Sequence, residues 1–169
     1  MQNSKKIILV DDEKNILTSI SLTLRSEGYK ISTYQNGEDA LEALEKEPSD
    51  LGLLDIKMPR MNGRELLIKI RSSKNNNLKN MPVIFLTSKD DEQDEILGLR
   101  MGAADYITKP FSTKLLIERI KTVLRVHNNR VSSPKTNIEN LNSVANEENL
   151  ILDEPKQLCF WKKNEIELT

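Results

Sequence analysis

Five side chains with acidic, hydroxyl or ammonium groups follow or end short apolar runs of the chain. Asp11 and Asp12 follow one run, Asp55 a second, Thr87 a third and Lys109 a fourth. Three carboxylates at about 5 Å would repel one another by roughly 3 kcal/mol per pair at an effective dielectric near 20, so such a cluster favours binding of a cation or a proton. The question is whether the fold brings these groups together.

The elements that must deliver these groups are predicted from the apolar pattern. Short apolar runs alternate five times with segments of helical spacing, which is typical of βαβ units and a parallel sheet covered on both faces. This predicts a doubly wound α/β domain of about 125 residues, in which the carboxyl ends of all strands open onto one edge of the sheet. The predicted strands are Lys6–Val10, Tyr29–Tyr34, the run from Leu51, the run from Met81, and Ala103–Ile107.

The helices between the strands are predicted from apolar spacing and from residues that start helices. The first carries Ile16, Ile20, Leu22 and Leu24 near helical spacing. The segment from 72 to 80 is rich in Asn and Lys and is predicted to be a solvated loop. Later helices are predicted to start near Asn36, Asn62-Gly63, Asp90 and Ser112.

The converging groups indicate phosphoryl chemistry. Oxygen ligands without His or Cys suit Mg2+, a hard ion that bridges carboxylate and phosphate oxygens. A divalent ion and Lys109 together would neutralise a phosphoryl group, while one carboxylate attacks phosphorus to form an acyl phosphate. Thr87 could then donate a hydrogen bond to a phosphoryl oxygen. The pattern therefore predicts a phosphoryl acceptor.

The combination of motifs resembles the receiver domain of bacterial two-component response regulators, over roughly residues 5 to 126. The motifs are Asp11-Asp12, Asp55-x-x-Met58-Pro59, Thr87 and Lys109-Pro110-Phe111. The resemblance implies a flavodoxin-like sheet of five parallel strands in the order 2-1-3-4-5. It also implies a protein that is not an enzyme in the usual sense, with at most self-phosphorylation from small phosphodonors and autodephosphorylation.

By this resemblance, Asp55 is the phosphorylation site. Mg2+ would be held by Asp12, by Asp55 and by the backbone carbonyl of Lys57, with Asp11 contributing through water. The phosphoryl donor would be a sensor histidine kinase.

The resemblance also implies a switch around the phosphoryl group. Lys109 would pair with that group, and the bond from Lys109 to Pro110 would be cis. Thr87 and Tyr106 resemble the family's switch pair, in which the hydroxyl moves toward the phosphoryl group and the ring rotates inward. The expected output surface is the α4-β5-α5 face of the family, built here by the helix from Asp90, the fifth strand and the last helix.

A homodimer through that output face is a second expectation, but this chain departs from the usual ion pairs. OmpR/PhoB-type receivers usually carry a basic residue where this chain has Glu95, and acids where it has Ala104 and Leu115. Only Asp105 and Arg119 keep the residue types of one pair. We therefore expect dimerisation by these contacts to be weakened.

The C-terminal part resembles a second module. Residues 1–127 are predicted to be the receiver domain and residues 128–148 a polar linker. Residues 149–169 are similar to the antiparallel sheet that opens an OmpR/PhoB-type winged-helix domain. We predict a short antiparallel β fragment there, and DNA binding only where a complete winged-helix domain follows, whether the chain is truncated or naturally short.

Composition limits the class of protein. The chain has 25 Lys and Arg against 26 Asp and Glu, a net charge of −1, which gives no overall footprint for nucleic acid. The single cysteine, Cys159, cannot form an internal disulfide. No apolar run approaches the roughly 20 residues that cross a membrane, so we expect a cytoplasmic protein without a membrane partner.

Other interpretations stay open for single residues and for the output. Asp11-Asp12 alone would more often cap a helix, and Lys109 alone would more often lie in a solvated turn. A receiver that acts only through protein partners, as a single-domain regulator or relay intermediate, is the main alternative to transcription control. A haloacid dehalogenase-type hydrolase is disfavoured, because Asp11-Asp12-Glu13 lacks that family's Asp-x-Asp.

Overall fold

The computed structural model describes residues 4–88 and 101–132, together with three short strands between residues 150 and 167. The chain divides into two compact units, Met1–Arg130 and Val131–Thr169. The helix predicted from Asp90, including Glu95, lies outside the described residues. Within the part that is described, each helix is too short or too polar to cross a membrane.

The first unit is built on a five-stranded, all-parallel sheet in the order β2-β1-β3-β4-β5. The predicted fold class and strand order are therefore confirmed. The strands are β1 (Lys6–Val10), β2 (Lys30–Tyr34), β3 (Leu51–Asp55), β4 (Val83–Ser88) and β5 (Asp105–Lys109). The described helices are α1 (Lys14–Ser26), α2 (Gly37–Lys46), α3 (Gly63–Arg71), α4 (Asn76–Lys79) and α5 (Thr113–Ser132).

The core lies on both faces of the sheet, and β3 is its centre because every residue of that strand is buried. Alternate residues of β1 point to opposite faces. Ile7 and Leu9 pack with α1 and α5, whereas Ile8 and Val10 pack with α2 and α3. Burial of each such side chain contributes about 1.5–3 kcal/mol, which fixes the register of the central strands.

Side-chain caps set where the helices begin. The Asn36 side chain accepts a hydrogen bond from the backbone N–H of Asp39 at 2.8 Å, and Ser112 Oγ accepts from Leu115 N at 3.1 Å. Asn62 and Glu65 form a capping box at the start of α3. The predicted helix starts at these three positions are confirmed.

Helix α1 buries a different stripe from the predicted one. Its buried residues are Leu17, Ile20, Ser21 and Leu24, spaced at i, i+3, i+4 and i+7. Leu22 falls one position off this stripe and is 63% exposed, so its assignment to the apolar face was wrong.

The segment from 72 to 80 is more ordered than the predicted solvated loop. It contains α4, whose first turn is capped by Asn75 through the backbone N–H of Asn77 at 3.0 Å. Leu78 is fully buried in the core. One apolar anchor among polar neighbours was thus enough to fold the connection onto the domain.

Strand β5 begins two residues later than predicted. Ala104 is tied to the sheet by a hydrogen bond from its N–H to the carbonyl of Val83 at 2.8 Å, but the strand itself starts at Asp105. Consequently Lys109 is the last residue of β5, at the edge where the other strands end.

Arg71, at the end of α3, ties three backbone carbonyls together. Its guanidinium donates to the carbonyls of Lys79 at 2.9 Å, Met81 at 2.8 Å and Gly102 at 2.9 Å. Burial lowers the pKa of this guanidinium. Arg71 therefore links α3 to the segments that lead into β4 and β5.

We expect Arg71→Met to lower the free energy of unfolding by about 2 kcal/mol, because three hydrogen bonds from one charged group to backbone carbonyls are lost together. Urea denaturation would measure the change. Arg25→Met is the matched control, since Arg25 donates to a single carbonyl, that of Ile31, at an exposed position. Equal losses for the two variants would contradict the linking role of Arg71.

The second unit contains three short strands paired antiparallel in the order β6-β7-β8. They are β6 (Leu150–Asp153), β7 (Leu158–Trp161) and β8 (Asn164–Glu167). Helix α5 runs to Ser132, so it enters the residues predicted as linker. The assignment of this unit to a winged-helix domain stays a prediction.

Candidate functional site

The carboxyl ends of β1, β3 and β5 bring acidic residues and a lysine into contact. Lys109 Nζ lies 2.8 Å from Asp11 Oδ2 and 3.0 Å from Asp55 Oδ1. Carboxylate oxygens of Asp11, Asp12 and Asp55 all lie within 4.8 Å of one another. These four residues are called the acid–lysine cluster below.

The acid–lysine cluster has a buried floor and an open rim. The side chain of Asp11 is fully buried and that of Asp55 is 9% exposed, whereas Asp12 is exposed. The side chain of Lys109 is 21% exposed. A ligand can therefore approach past Asp12 and reach Asp55.

The simpler interpretation of the Asp11-Asp12 pair was a helix cap, but Asp11 does not cap α1. The N-cap of α1 is Glu13, whose side chain makes no capping bond. Asp11 Oδ1 instead accepts a hydrogen bond from the backbone N–H of Glu13 at 2.9 Å, while its other oxygen accepts from Lys109. Both oxygens of this buried carboxylate are thus oriented by the fold.

The electrostatics of the cluster favour a cation. Burial raises the pKa of Asp55 to about 6, against the hydrogen bond and charge of Lys109, and the charges of Asp11 and Asp12 add to the rise. For Lys109, burial alone would lower the pKa, but its hydrogen bonds to Asp11 and Asp55 outweigh burial and the pKa is raised. One ammonium thus offsets only part of the negative charge.

The donor set of the cluster fits Mg2+. It consists of carboxylate oxygens, the ligands that this ion prefers. Donors of Mg2+ lie at about 2.0–2.1 Å, so two oxygens on opposite sides of one ion are about 4.2 Å apart. The three carboxylates within 4.8 Å need only small side-chain movements to share an ion, and the exposed rim leaves room for its waters.

The remaining predicted site residues lie around the cluster rather than in it. Thr87 is buried near the end of β4, and its hydroxyl donates to the carbonyl of Ser88 at 3.2 Å. The Tyr106 ring packs against Phe85, with ring centroids 5.6 Å apart. Lys57 is exposed just after β3. The bond from Lys109 to Pro110 is cis, the isomer that the resemblance implies.

Part of the expected dimer face is described. Leu115 is 43% exposed on α5. Arg119 Nη1 donates to Asp105 Oδ2 of the same chain at 3.2 Å, so the two residues that keep the family's charge types pair within the chain. An intermolecular pair between them would have to replace this contact.

Comparisons with known proteins cover the same part of the chain. A family model described as response regulator receiver domain matches residues 7–121. A CheY-like receiver domain protein from Methanospirillum hungatei is 33% identical with a TM-score of 0.70, and the match covers 76% of this chain and 99% of that chain. The chemotaxis protein CheY4 of Vibrio cholerae is 29% identical with a TM-score of 0.67, covering 72% of this chain and 99% of that chain. NtrX from Brucella abortus is 27% identical with a TM-score of 0.70, covering 76% of this chain but 28% of that chain.

Proposed function

This chain belongs to the response regulator receiver domain family, and from that premise we propose that Asp55 accepts a phosphoryl group from a sensor histidine kinase. The observation that carries the proposal is the contact of Lys109 with both Asp11 and Asp55, beside a third carboxylate. Receiver domains are phosphoacceptor signalling domains, and this cluster contains a nucleophile, a cation and an all-oxygen ligand set. Mg2+ would be held by Asp12, Asp55 and the Lys57 carbonyl, with Asp11 acting through water.

The transfer is an in-line displacement at phosphorus. One oxygen of Asp55 forms the new O–P bond, the P–N bond to the donor's phosphohistidine breaks, and its electron pair returns to the imidazole. When bound, Mg2+ would neutralise charge on the phosphoryl oxygens. Lys109 already lies 3.0 Å from Asp55, so its ammonium can pair with the phosphoryl group while keeping its bond to Asp11.

The phosphoryl group then shifts a conformational equilibrium. In the pairing of β3 with β4, Asp55 lies opposite Leu86, and Thr87 is the next residue of β4. In the unphosphorylated structure its hydroxyl donates to the backbone carbonyl of Ser88. A charged phosphoryl oxygen on Asp55 is a stronger hydrogen-bond acceptor than the carbonyl of Ser88. The Thr87 hydroxyl therefore breaks its bond to Ser88 and donates to the phosphoryl oxygen. Tyr106, which packs against Phe85 on the neighbouring strands, follows this movement and changes the output face.

The test of the acceptor is mass spectrometry of the intact chain after incubation with acetyl phosphate and Mg2+. We expect a phosphoryl adduct on the wild type and none on Asp55→Asn, because the amide is not a nucleophile. Asp50→Asn is the matched control, since Asp50 immediately precedes the strand that Asp55 ends and pairs with Lys5 instead. Equal labelling of wild type and Asp55→Asn would rule out Asp55 as the acceptor.

The output is proposed to be control of transcription, with action through protein partners alone as the alternative. Residues 1–127 form the receiver, 128–148 the linker and 149–169 the start of a winged-helix domain in this proposal, and the protein acts in the cytoplasm. The similar proteins are compatible with both outputs. The match covers 99% of CheY4, which is a receiver without a further domain of comparable size, but only 28% of NtrX, which is a much longer chain.

Analytical ultracentrifugation with and without acetyl phosphate would measure the fraction of the protein that forms a homodimer. We expect weak association through the output face, since Ala104 and Leu115 stand where ion pairs are usual and Arg119 is paired with Asp105 in its own chain.

A further inference from the structure

The connection that follows Asp55 returns to contact the backbone of Asp55. Gly63, the first residue of α3, donates its N–H to the carbonyl of Ile56 at 3.0 Å. A Cβ atom built on Gly63 would lie 2.2 Å from the Asp55 carbonyl oxygen, 3.0 Å from its carbonyl carbon and 3.1 Å from Ile56 Cα. The start of α3 is therefore packed directly against the backbone that carries Asp55.

The neighbours of Gly63 distinguish it from the other glycines of the described chain. A Cβ at Gly37 would meet the flexible side chain of Met61, and a Cβ at Gly52 would meet the methyl end of Met81. Those side chains can move aside at small cost. At Gly63 every close atom belongs to the backbone, so a side chain there must displace the end of β3 or the start of α3.

We propose that Gly63 is a positioning residue that makes the acid–lysine cluster selective for Mg2+ over larger divalent ions. The inference rests on the proposed function, because it concerns the same site. Asp55 supplies a carboxylate, and the carbonyl of Lys57 lies two residues later on the backbone that Gly63 holds. Asp11, which would act on the ion through water, is fixed separately by its bonds to Glu13 N and Lys109. The distance between the two halves of the site is thus set by the contact at Gly63.

Rigidity at this contact matters more for a small ion than for a large one. Mg2+ requires nearly octahedral donors at about 2.0–2.1 Å, whereas Ca2+ accepts variable geometry at about 2.3–2.6 Å. A methyl group at position 63 must move backbone atoms by about 1 Å to reach an ordinary contact distance. Such a movement breaks the octahedral arrangement that Mg2+ requires, whereas Ca2+, which accepts six to eight oxygen ligands in variable geometry, can replace a displaced donor with water.

Isothermal titration of the full chain with Mg2+ alone and Ca2+ alone would test the proposal. For Gly63→Ala we expect Mg2+ binding to weaken about tenfold or more, as is typical when the support of a metal ligand is lost, and Ca2+ binding to weaken less than about threefold. Gly37→Ala and Gly52→Ala are matched controls in which the ratio of the two affinities stays at the wild-type value. Circular dichroism confirms that each variant is folded at the titration temperature.

The outcomes separate this inference from the proposed function. If the wild type fails to bind Mg2+, the proposed function fails; if it binds Mg2+ and Gly63→Ala keeps the same affinity ratio, only the inference is overturned. Should Gly63→Ala not fold, Asn62→Ala replaces it, because this change removes the capping box that anchors the start of α3. We expect the affinity ratio to shift in the same direction by a smaller factor, and an unchanged ratio would overturn the proposal.

Discussion

Replacement of Lys109 by methionine should lower the free energy of unfolding by about 2 kcal/mol at pH 7.5 without divalent ions. Lys109 is the cation in contact with the buried carboxylates of Asp11 and Asp55, at 2.8 and 3.0 Å. Removal of one partner of a buried ion pair costs about 3–5 kcal/mol, which we reduce because the Lys109 side chain is 21% exposed. Methionine retains most of the apolar stem, so the loss reports the charge. Urea denaturation in the presence of a chelator measures it.

Two controls make this result specific. Lys6→Met removes an ion pair with Glu47 whose partners are well exposed, so we expect a change of under about 0.5 kcal/mol. Addition of Mg2+ should recover more stability in Lys109→Met than in the wild type, because the ion supplies the missing positive charge. A loss no larger than that of Lys6→Met would show that Lys109 does not offset the charge of the cluster.

The convergence of the acid–lysine cluster could be predicted from sequence because it depends on topology alone. Each group follows or ends a strand, and all parallel strands end at one edge of the sheet. Small errors in the limits of a strand do not change this result. Strand β5 starts at Asp105 rather than Ala103, yet Lys109 still lies at the same edge, in contact with Asp11 and Asp55.

Features that depend on one specific contact were missed. The burial of Leu78 and the three carbonyl bonds of Arg71 depend on how the connection between α3 and β4 folds back, which local pattern does not encode. Leu22 is an apolar residue that lies five positions from Leu17 and two from Ile20, so its residue type suggested burial although its spacing places it off the buried stripe. The sequence held no signal that separates Gly63 from Gly37, because both glycines begin a helix and only Gly63 meets the backbone of another segment.

Asp55→Asn should change stability in the opposite direction from Lys109→Met. We expect it to stabilise the ion-free protein by about 3 kcal/mol at pH 8. Burial, with the charges of Asp11 and Asp12, raises the pKa of Asp55 to about 6 despite the opposing contact with Lys109. The folded chain therefore binds this proton more tightly than the unfolded chain. The stabilisation that the protonated carboxyl provides is fully present below about pH 4 and is lost as pH rises through about 6, by about 1.4 kcal/mol for each unit of pKa difference.

Asparagine cannot ionise, so its advantage over Asp55 should be absent near pH 4, grow between about pH 4 and 6, and stay level above that range. Urea denaturation of both proteins at several pH values, with a chelator present, would follow the difference. Asp50→Asn is the contrasting control, because Asp50 accepts hydrogen bonds from Lys5 Nζ and Lys6 N and its replacement should destabilise the protein. An advantage of Asp55→Asn that does not change with pH would mean that ionisation of Asp55 costs the fold nothing. In that case the charge of the cluster would already be balanced by Lys109, and the physical reason for the site to take up Mg2+ would be lost.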